Sequence, residues 1–240
     1  MTPSQFPLSA IGHIQTPFKQ KFAIPRQPNL AKAKGQVVLA PDFDDPRVFK
    51  GLEVFSHVWL LFLFHENLDK GWKPSVKAPR LGGNATLGVF ASRSTHRPNG
   101  IGMSAVKNLG SDIVDGKLTL HVEGVDLLDG TPIIDIKPYL PYADALPHAS
   151  DSMAELNHAA PIPNLEVTIN PLVQNMLNEA ASQHPDLPTL LTAVLAQDPR
   201  PAYRHKLLSD EKTYHTALYN YDFAFTVKNS VVEVIGINTL

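Results

Sequence analysis

The chain has 240 residues, 43% of them hydrophobic and 18% charged, with a formal net charge of −2. That length suits one large unit or a main domain with a smaller annex, and the apolar content is enough for a real core. The charge balance gives no global basic field for nucleic acid, and the absence of cysteine excludes disulfides, thiolate metal sites and cysteine nucleophiles.

The charge is uneven. Residues 1–41 carry Lys19, Lys21, Arg26, Lys32 and Lys34 and no acid, which reads as a local basic face or as an ordinary solvated surface. No basic start followed by an apolar stretch marks a signal peptide. The longest apolar run, residues 54–64, is interrupted by Ser56 and His57 and is too short to span a bilayer. A soluble cytoplasmic protein without membrane contact is expected.

Residues 8–18 read as a first strand, and the two prolines of 25–28 keep the next stretch extended and outside a sheet interior. Residues 35–40 form a second strand, followed by an acidic turn over 41–46. Residues 51–65 give the longest strand, with Phe55, Trp59, Leu61 and Leu63 on one face and Val58, Leu60, Phe62 and Phe64 on the other. Apolar side chains on both faces place it centrally. A Pro/Gly-rich loop over 72–84 precedes strands at 85–91, 102–109, 117–125 and 133–137. Asp115-Gly116 is a strong hairpin signal. No long helical pattern precedes residue 150. Regular strands with tight turns predict a mainly β fold, a small antiparallel β-barrel or sandwich over residues 1–150.

Residues 141–164 read as a linker. Beyond it, Asn170-Pro171 is an N-cap with proline at the first helical position, and Leu172, Val173, Met176, Leu177, Ala180 and Ala181 follow at helical spacing. A second helix follows Asp186, and a hairpin closes the chain around Lys228-Asn229-Ser230. Residues 160–240 are therefore expected to form a C-terminal α+β annex.

Three stretches could carry chemistry. Residues 92–102, Ser-Arg-Ser-Thr-His-Arg-Pro-Asn-Gly-Ile-Gly, place Arg93 and Arg97 four apart in a donor-rich loop, suited to gripping something anionic or planar. Pro98 biases Arg97 toward extended geometry, while Gly100 and Gly102 are free to take positive φ. The Gly-x-Gly-x-x-Ala pattern at 100–105 fits a dinucleotide fingerprint in form only, because a strand follows it and no βαβ unit surrounds it. Residues 126–132, Asp-Leu-Leu-Asp-Gly-Thr-Pro, offer two carboxylates beside apolar strands, for ribose hydroxyls or an ammonium, or simply as a solvated turn. Residues 135–142 put Asp135 and Lys137 on one strand face and stiffen two tyrosines with prolines. Either tyrosine could stack on a purine or pack as a Tyr-Pro corner. The ten histidines show no metal-ligand spacing, and no metal is expected.

The run from Arg93 to Gly102 resembles the hallmark loop of the TsaA-like (TrmO) family, S-adenosylmethionine-dependent tRNA methyltransferases. Thr95 and Gly100 stand where many members have proline. The Asp-x-Lys-Pro-Tyr run at 135–139 is similar to the second hallmark, and Pro25-Arg26-Gln27, Phe64-His65-Glu66 and Asp198-Pro199-Arg200-Pro201-Ala202-Tyr203 extend the resemblance over nearly the whole chain. The resemblance implies a small barrel that binds S-adenosylmethionine near a homodimer interface. It implies a cofactor site made of Pro25, Arg26, Gln27, His65, Glu66, Arg93, Met103, Asp126, Leu127, Leu128 and Asp129.

The implied reaction is methylation of N6 of threonylcarbamoyladenosine beside the anticodon of threonine-type tRNA. Asp135 is the candidate proton acceptor, and its alternative is an ion pair with Lys137 or Arg97. Arg93 and Arg97 could hold the threonyl carboxylate, and Arg97 is the better candidate because Arg93 is given to the cofactor. Asn99, in the same turn, and Tyr139 complete the candidate catalytic set. Arg200, Arg204, His205 and Lys206 could contact the anticodon stem, or complement a helix C-terminus. The rivals are a non-catalytic S-adenosylmethionine sensor, using the same loops, and, well behind, a small-molecule hydrolase.

Overall fold

Residues 6–77, 86–150 and 163–240 are described by a computed structural model. The strands are β1 (Gly12–Gln15), β2 (Lys34–Leu39), β3 (His57–Leu63), β4 (Ser75–Lys77), β5 (Thr86–Gly88), β6 (Ile101–Val114), β7 (Lys117–Glu123), β8 (Thr131–Pro138), β9 (Glu166–Ile169), β10 (Asp210–Leu218), β11 (Tyr221–Lys228) and β12 (Val231–Thr239). Two helices, α1 (Gln174–Gln183) and α2 (Leu187–Ala196), lie between β9 and β10. The fold is mainly β, as expected. Parts of the predicted loop at 72–84, strand at 85–91 and linker at 141–164 lie outside the described residues.

Six strands close on one another in the order β1-β2-β7-β6-β3-β8, with every neighbour antiparallel. Alternation decides what fills the ring. Ile14, Val37, Leu60, Val106, Leu120, Val122 and Ile133 are fully buried, one or two from each strand. β6 and β7 join through Asp115-Gly116, both at positive φ, so the hairpin signal is realised as a tight turn.

The long predicted strand at 51–65 is shorter than its apolar run. Gly51 sits at φ +85°, Leu52–Val54 make a 3-10 turn, and the Asn108 amide donates to the Leu52 and Phe55 carbonyls at 2.9 Å each. Those bonds satisfy backbone that a strand would have paired. Within β3, Val58, Leu60 and Phe62 are buried, while Trp59, Leu61 and Leu63 on the outer face are only half-buried.

The C-terminal part is α+β. Its four-stranded sheet runs β10-β11-β12-β9, with β9 parallel to β12 and the other pairs antiparallel. The sequence reading missed β9 and β10. In β10 only Asp210, Tyr214, Thr216, Ala217 and Leu218 are buried, a pattern broken by an irregular register between Asp210 and Tyr214. The Asn170 side chain accepts from Leu172 N–H at 3.0 Å, but proline at the next position opens a 3-10 turn, Pro171–Val173, before α1 proper begins. α2 buries Leu187, Leu190, Leu191, Val194 and Leu195.

This part is joined to the ring by buried contacts. Phe18 bridges to Leu218, Tyr219 N–H donates to the Pro17 carbonyl at 2.7 Å, and the Gln197 amide donates to the Leu30 carbonyl at 3.2 Å. Beyond α2, the turn at 198–207 is braced from beneath. Arg200, 3% exposed, is bidentate to Asp198 at 2.7 and 2.8 Å and donates to the Leu207 carbonyl at 3.2 Å. Arg200 is therefore internal and unable to reach an external phosphate, contrary to the expectation from its place in a cationic cluster.

Gly124 fixes the backbone just ahead of the 126–129 turn. At φ +90°, its Cβ would lie 2.1 Å from Asn29 Oδ1, and Asn29 in turn bonds the Gly124 and Ala105 carbonyls at 2.9 and 3.0 Å. Gly124→Ala should cost about 1–2 kcal/mol for the left-handed backbone alone, with displacement of Asn29 added. Gly110, at φ +97° with open space around it, is the control that loses only the backbone part. Denaturant unfolding of both variants checks this. Equal losses would show that the Asn29 contact contributes nothing.

Candidate active site

At one end of the ring, the C-terminal end of β3 and the start of β6 open into a cavity of about 560 Å³, a size typical of small-molecule sites. Its walls combine apolar side chains, among them Ile24, Leu61, Phe64, Ile101 and Leu127, with Lys21, Arg26, His65, Glu66, Arg93, Arg97 and Asp126. The loop of residues 92–102 and the turn of residues 126–128 both reach this cavity. They are distant in sequence, and closure of the ring brings them together.

The residues implied for cofactor binding meet here. Pro25, Arg26, Gln27, His65, Glu66, Arg93, Met103, Asp126, Leu127 and Leu128 all line the cavity. Asp129 does not. Its carboxylate accepts from Thr16 N–H at 2.8 Å and from Lys19 at 2.6 Å, and its own N–H donates to the Phe18 carbonyl at 2.9 Å, so it ties the turn to the first strand.

Of the proposed catalytic set, Arg97 lines the cavity and also donates to the Ser92 carbonyl at 3.0 Å, bracing its own loop. Asn99 is exposed at φ +64°. Asp135 lies 2.9 Å from Lys137, the ion pair that was the alternative reading, with Leu61 as its register partner on β3. The Tyr139 ring tilts against Trp59 at 5.6 Å. Asn99, Asp135 and Tyr139 are outside the lining, with Asp135 one strand from Met103 across Leu61. Of the two glycines expected to bend the loop, Gly100 takes φ +59°, whereas Gly102 stays in β6, where a Cβ would meet the Phe62 ring at 2.4 Å. Gly102 is needed there for want of a side chain.

The electrostatics concentrate on two groups. Arg93 Nη1 donates to Gln27 Oε1 at 2.5 Å, a bond between two side chains of the cavity lining. Asp126 accepts from the Ser104 hydroxyl at 2.6 Å. Burial pushes the Asp126 carboxyl up to about 6, against the opposing pull of Ser104, its own backbone N–H and the Arg93 charge.

Lys21 and Ser104 line the cavity without having been singled out as site residues from the sequence. Lys21 pairs with Glu66 at 3.3 Å and with the Asn67 amide oxygen at 2.9 Å. With Lys19 on Asp129, it leaves the acid-free N-terminal stretch partly neutralised by contacts from other segments. Ser104 is a hydroxyl at an inward position of an apolar strand, and parity from Met103 to Val106 was the signal available for it. Among the described residues, no group of three His, Cys, Asp or Glu could hold a metal ion, and no helix is long and apolar enough to cross a membrane.

The tRNA-methyltransferase O N-terminal domain profile matches residues 13–145, and the TrmO C-terminal domain profile matches residues 162–240. An Escherichia coli tRNA (adenine(37)-N6)-methyltransferase is 44% identical over 235 residues, covering 98% of each chain. An Eikenella corrodens protein of the same name is 41% identical, covering 75% of this chain and 95% of its own. The crystal structure of TrmO from Pseudomonas aeruginosa superposes with a TM-score of 0.80 at 38% identity, covering 98% of this chain and 99% of that one. Both halves of the sequence match the family profiles and the fold superposes over nearly the whole chain, and the chain belongs to the TrmO family.

Proposed function

We propose that the chain is an S-adenosylmethionine-dependent methyltransferase that modifies N6 of adenosine 37 in tRNA, with threonylcarbamoyladenosine of threonine-type tRNA as the substrate form. The observation that carries this reading is the convergence of the Arg93–Arg97 loop and the Asp126–Leu128 turn on one cavity, in a chain similar over its length to enzymes named for that reaction. The cavity residues suit the donor. Apolar walls accept an adenine ring, Asp126 offers a counter-charge to a cation, and the Gln27–Arg93 pair can meet a carboxylate. The bound donor supplies an electrophilic methyl on a sulfonium.

The chain's own part is positioning. N6 of the substrate belongs to a urea, so its lone pair is delocalised and the nitrogen is a weak nucleophile. Attack must be in line, and holding both partners in that geometry accounts for much of the acceleration. The N6–methyl bond forms as the methyl–sulfur bond breaks, and the N6 proton passes to an acceptor. We assign that role to Asp135, beside cavity-lining Leu61 and held by Lys137. Arg97 grips the threonyl carboxylate, with Asn99 in its turn and Tyr139 on the outer wall contacting the base. A homodimer would bring a second copy to this outer face, where Trp59, Leu61 and Met103 are incompletely covered. Residues 1–150 serve as the cofactor unit and 160–240 as the tRNA-contacting unit. In the latter, the braced turn presents Tyr203, 73% exposed, with the Arg204 guanidinium 5.6 Å from its ring centre, and exposed Lys206.

Labelled S-adenosylmethionine incubated with bulk tRNA tests the reading, because label should enter tRNA carrying the threonylcarbamoyl group. A protein that binds the donor and transfers nothing would be the sensor instead. Arg97→Lys should lower turnover on modified tRNA roughly 10–100-fold, the worth of a charged hydrogen bond, while donor binding stays unchanged in calorimetry. Unaltered turnover removes Arg97 from substrate recognition. Tyr203→Ala should weaken tRNA binding by about 1–3 kcal/mol, as for loss of one stacked base. Affinity of the native chain should also fall with salt. Filter binding across a salt series checks both, and a flat response excludes the C-terminal turn as an RNA surface.

A further inference from the structure

The inward positions at the start of β6 are Gly102, Ser104 and Val106, facing the interior beside Leu60. Ser104 is 1% exposed and is the one polar side chain of the three. A hydroxyl in that apolar lining needs a partner, and it has Asp126 at 2.6 Å. Asp126 itself stands between Val125 and Leu127, both anchored in the core at 0% and 2% exposure. The backbone is thus held on both sides, and the side chain between them borders the cavity.

We infer that Ser104 is a positioning residue for this site: its buried hydroxyl keeps the Asp126 carboxylate ionised and oriented toward the positive group of the ligand, so that ligand binding is linked to a single proton. The inference rests on the methyl-donor reading and adds to it a residue and a pH dependence. The ligand chemistry is a cation, either the α-ammonium or the sulfonium of the donor. Other charged or ionisable groups lining the same cavity are Lys21, Arg26, Arg93, Arg97, Glu66 and His65, and among them the Arg93 charge favours the ionised form of Asp126.

The signs are fixed by burial. In the free protein the Asp126 carboxyl sits at about 6. A cation placed against it stabilises the ionised form, so the bound state releases the proton. Affinity is constant well above that value and falls as pH drops through it. Removing the Ser104 hydroxyl removes a bond to the ionised form and moves the midpoint upward.

Calorimetric titration of the full chain from pH 5 to 7.5 tests this with S-adenosylmethionine, S-adenosylhomocysteine and adenosine. S-adenosylmethionine affinity should approach a tenfold loss per pH unit below the midpoint. Ser104→Ala should raise the midpoint by about one pH unit, and Ser104→Thr, which retains the hydroxyl, should restore it. Asp126→Asn should bind weakly and without pH dependence. A pH response shared by S-adenosylhomocysteine but not adenosine assigns the cation to the ammonium, and a response confined to S-adenosylmethionine assigns it to the sulfonium. Either supports the inference. Tight but pH-independent binding overturns it and leaves the methyl-donor reading standing. So does a titration that survives Asp126→Asn, which would belong to another group, a midpoint unmoved in Ser104→Ala, or the same response with adenosine. Failure of S-adenosylmethionine to bind at any pH overturns both.

Discussion

The pairing of β3 with β6 is the constraint on which the site depends. Phe62 faces Gly102 and Leu60 faces Ser104 in a register that permits no slip. A shift of one residue would turn Ser104 outward and Met103 inward, separating Asp126 from its hydroxyl partner. Gly102 enforces that register, because the rings of Phe62 and Phe64 occupy the space a side chain would need. A closed ring has no free edge to pair with a ligand. Chemistry is therefore confined to the rim, where loops of unrelated sequence meet.

The sequence was most informative where one residue type has one physical consequence. Alternation located the ring strands, Asp115-Gly116 located the hairpin, and Asn170-Pro171 located the helix start to within a turn. Local pattern failed where distant side chains decide the backbone. Nothing in residues 51–56 announces that the Asn108 amide will take two of their carbonyls. Nothing near Arg200 announces that Asp198 will fold back over it and bury it. The cavity was legible through family resemblance more than through physics. The bare residues left the 126–129 turn equally a site and a solvated loop, and the structure divides it. Asp126 and the two leucines face the cavity, and Asp129 ties down the first strand.

The two buried polar clusters follow the same logic. Arg200 with Asp198 under the C-terminal turn, and Ser104 with Asp126 under the cavity, both take polar groups out of water, which costs free energy that pairing only partly offsets. The first is closed, with the guanidinium bound by the carboxylate at two points and capped by the Leu207 carbonyl, and its effect is to hold a turn rigid while Tyr203 stays exposed.

The second cluster is incomplete, and the difference is instructive. A lone carboxylate half-withdrawn from water, supported by one hydroxyl and a nearby arginine, is destabilised in its charged form when the cavity holds no cation. The raised value at Asp126 reflects that deficit. Folding alone gains nothing from it, since an amide or a small apolar side chain would be easier to bury. An arriving cation gains from it, because a counter-charge already stripped of water and fixed in direction loses little more on binding. The same burial that weakens the free fold at neutral pH strengthens recognition, and the Ser104 hydroxyl sets the balance between the two.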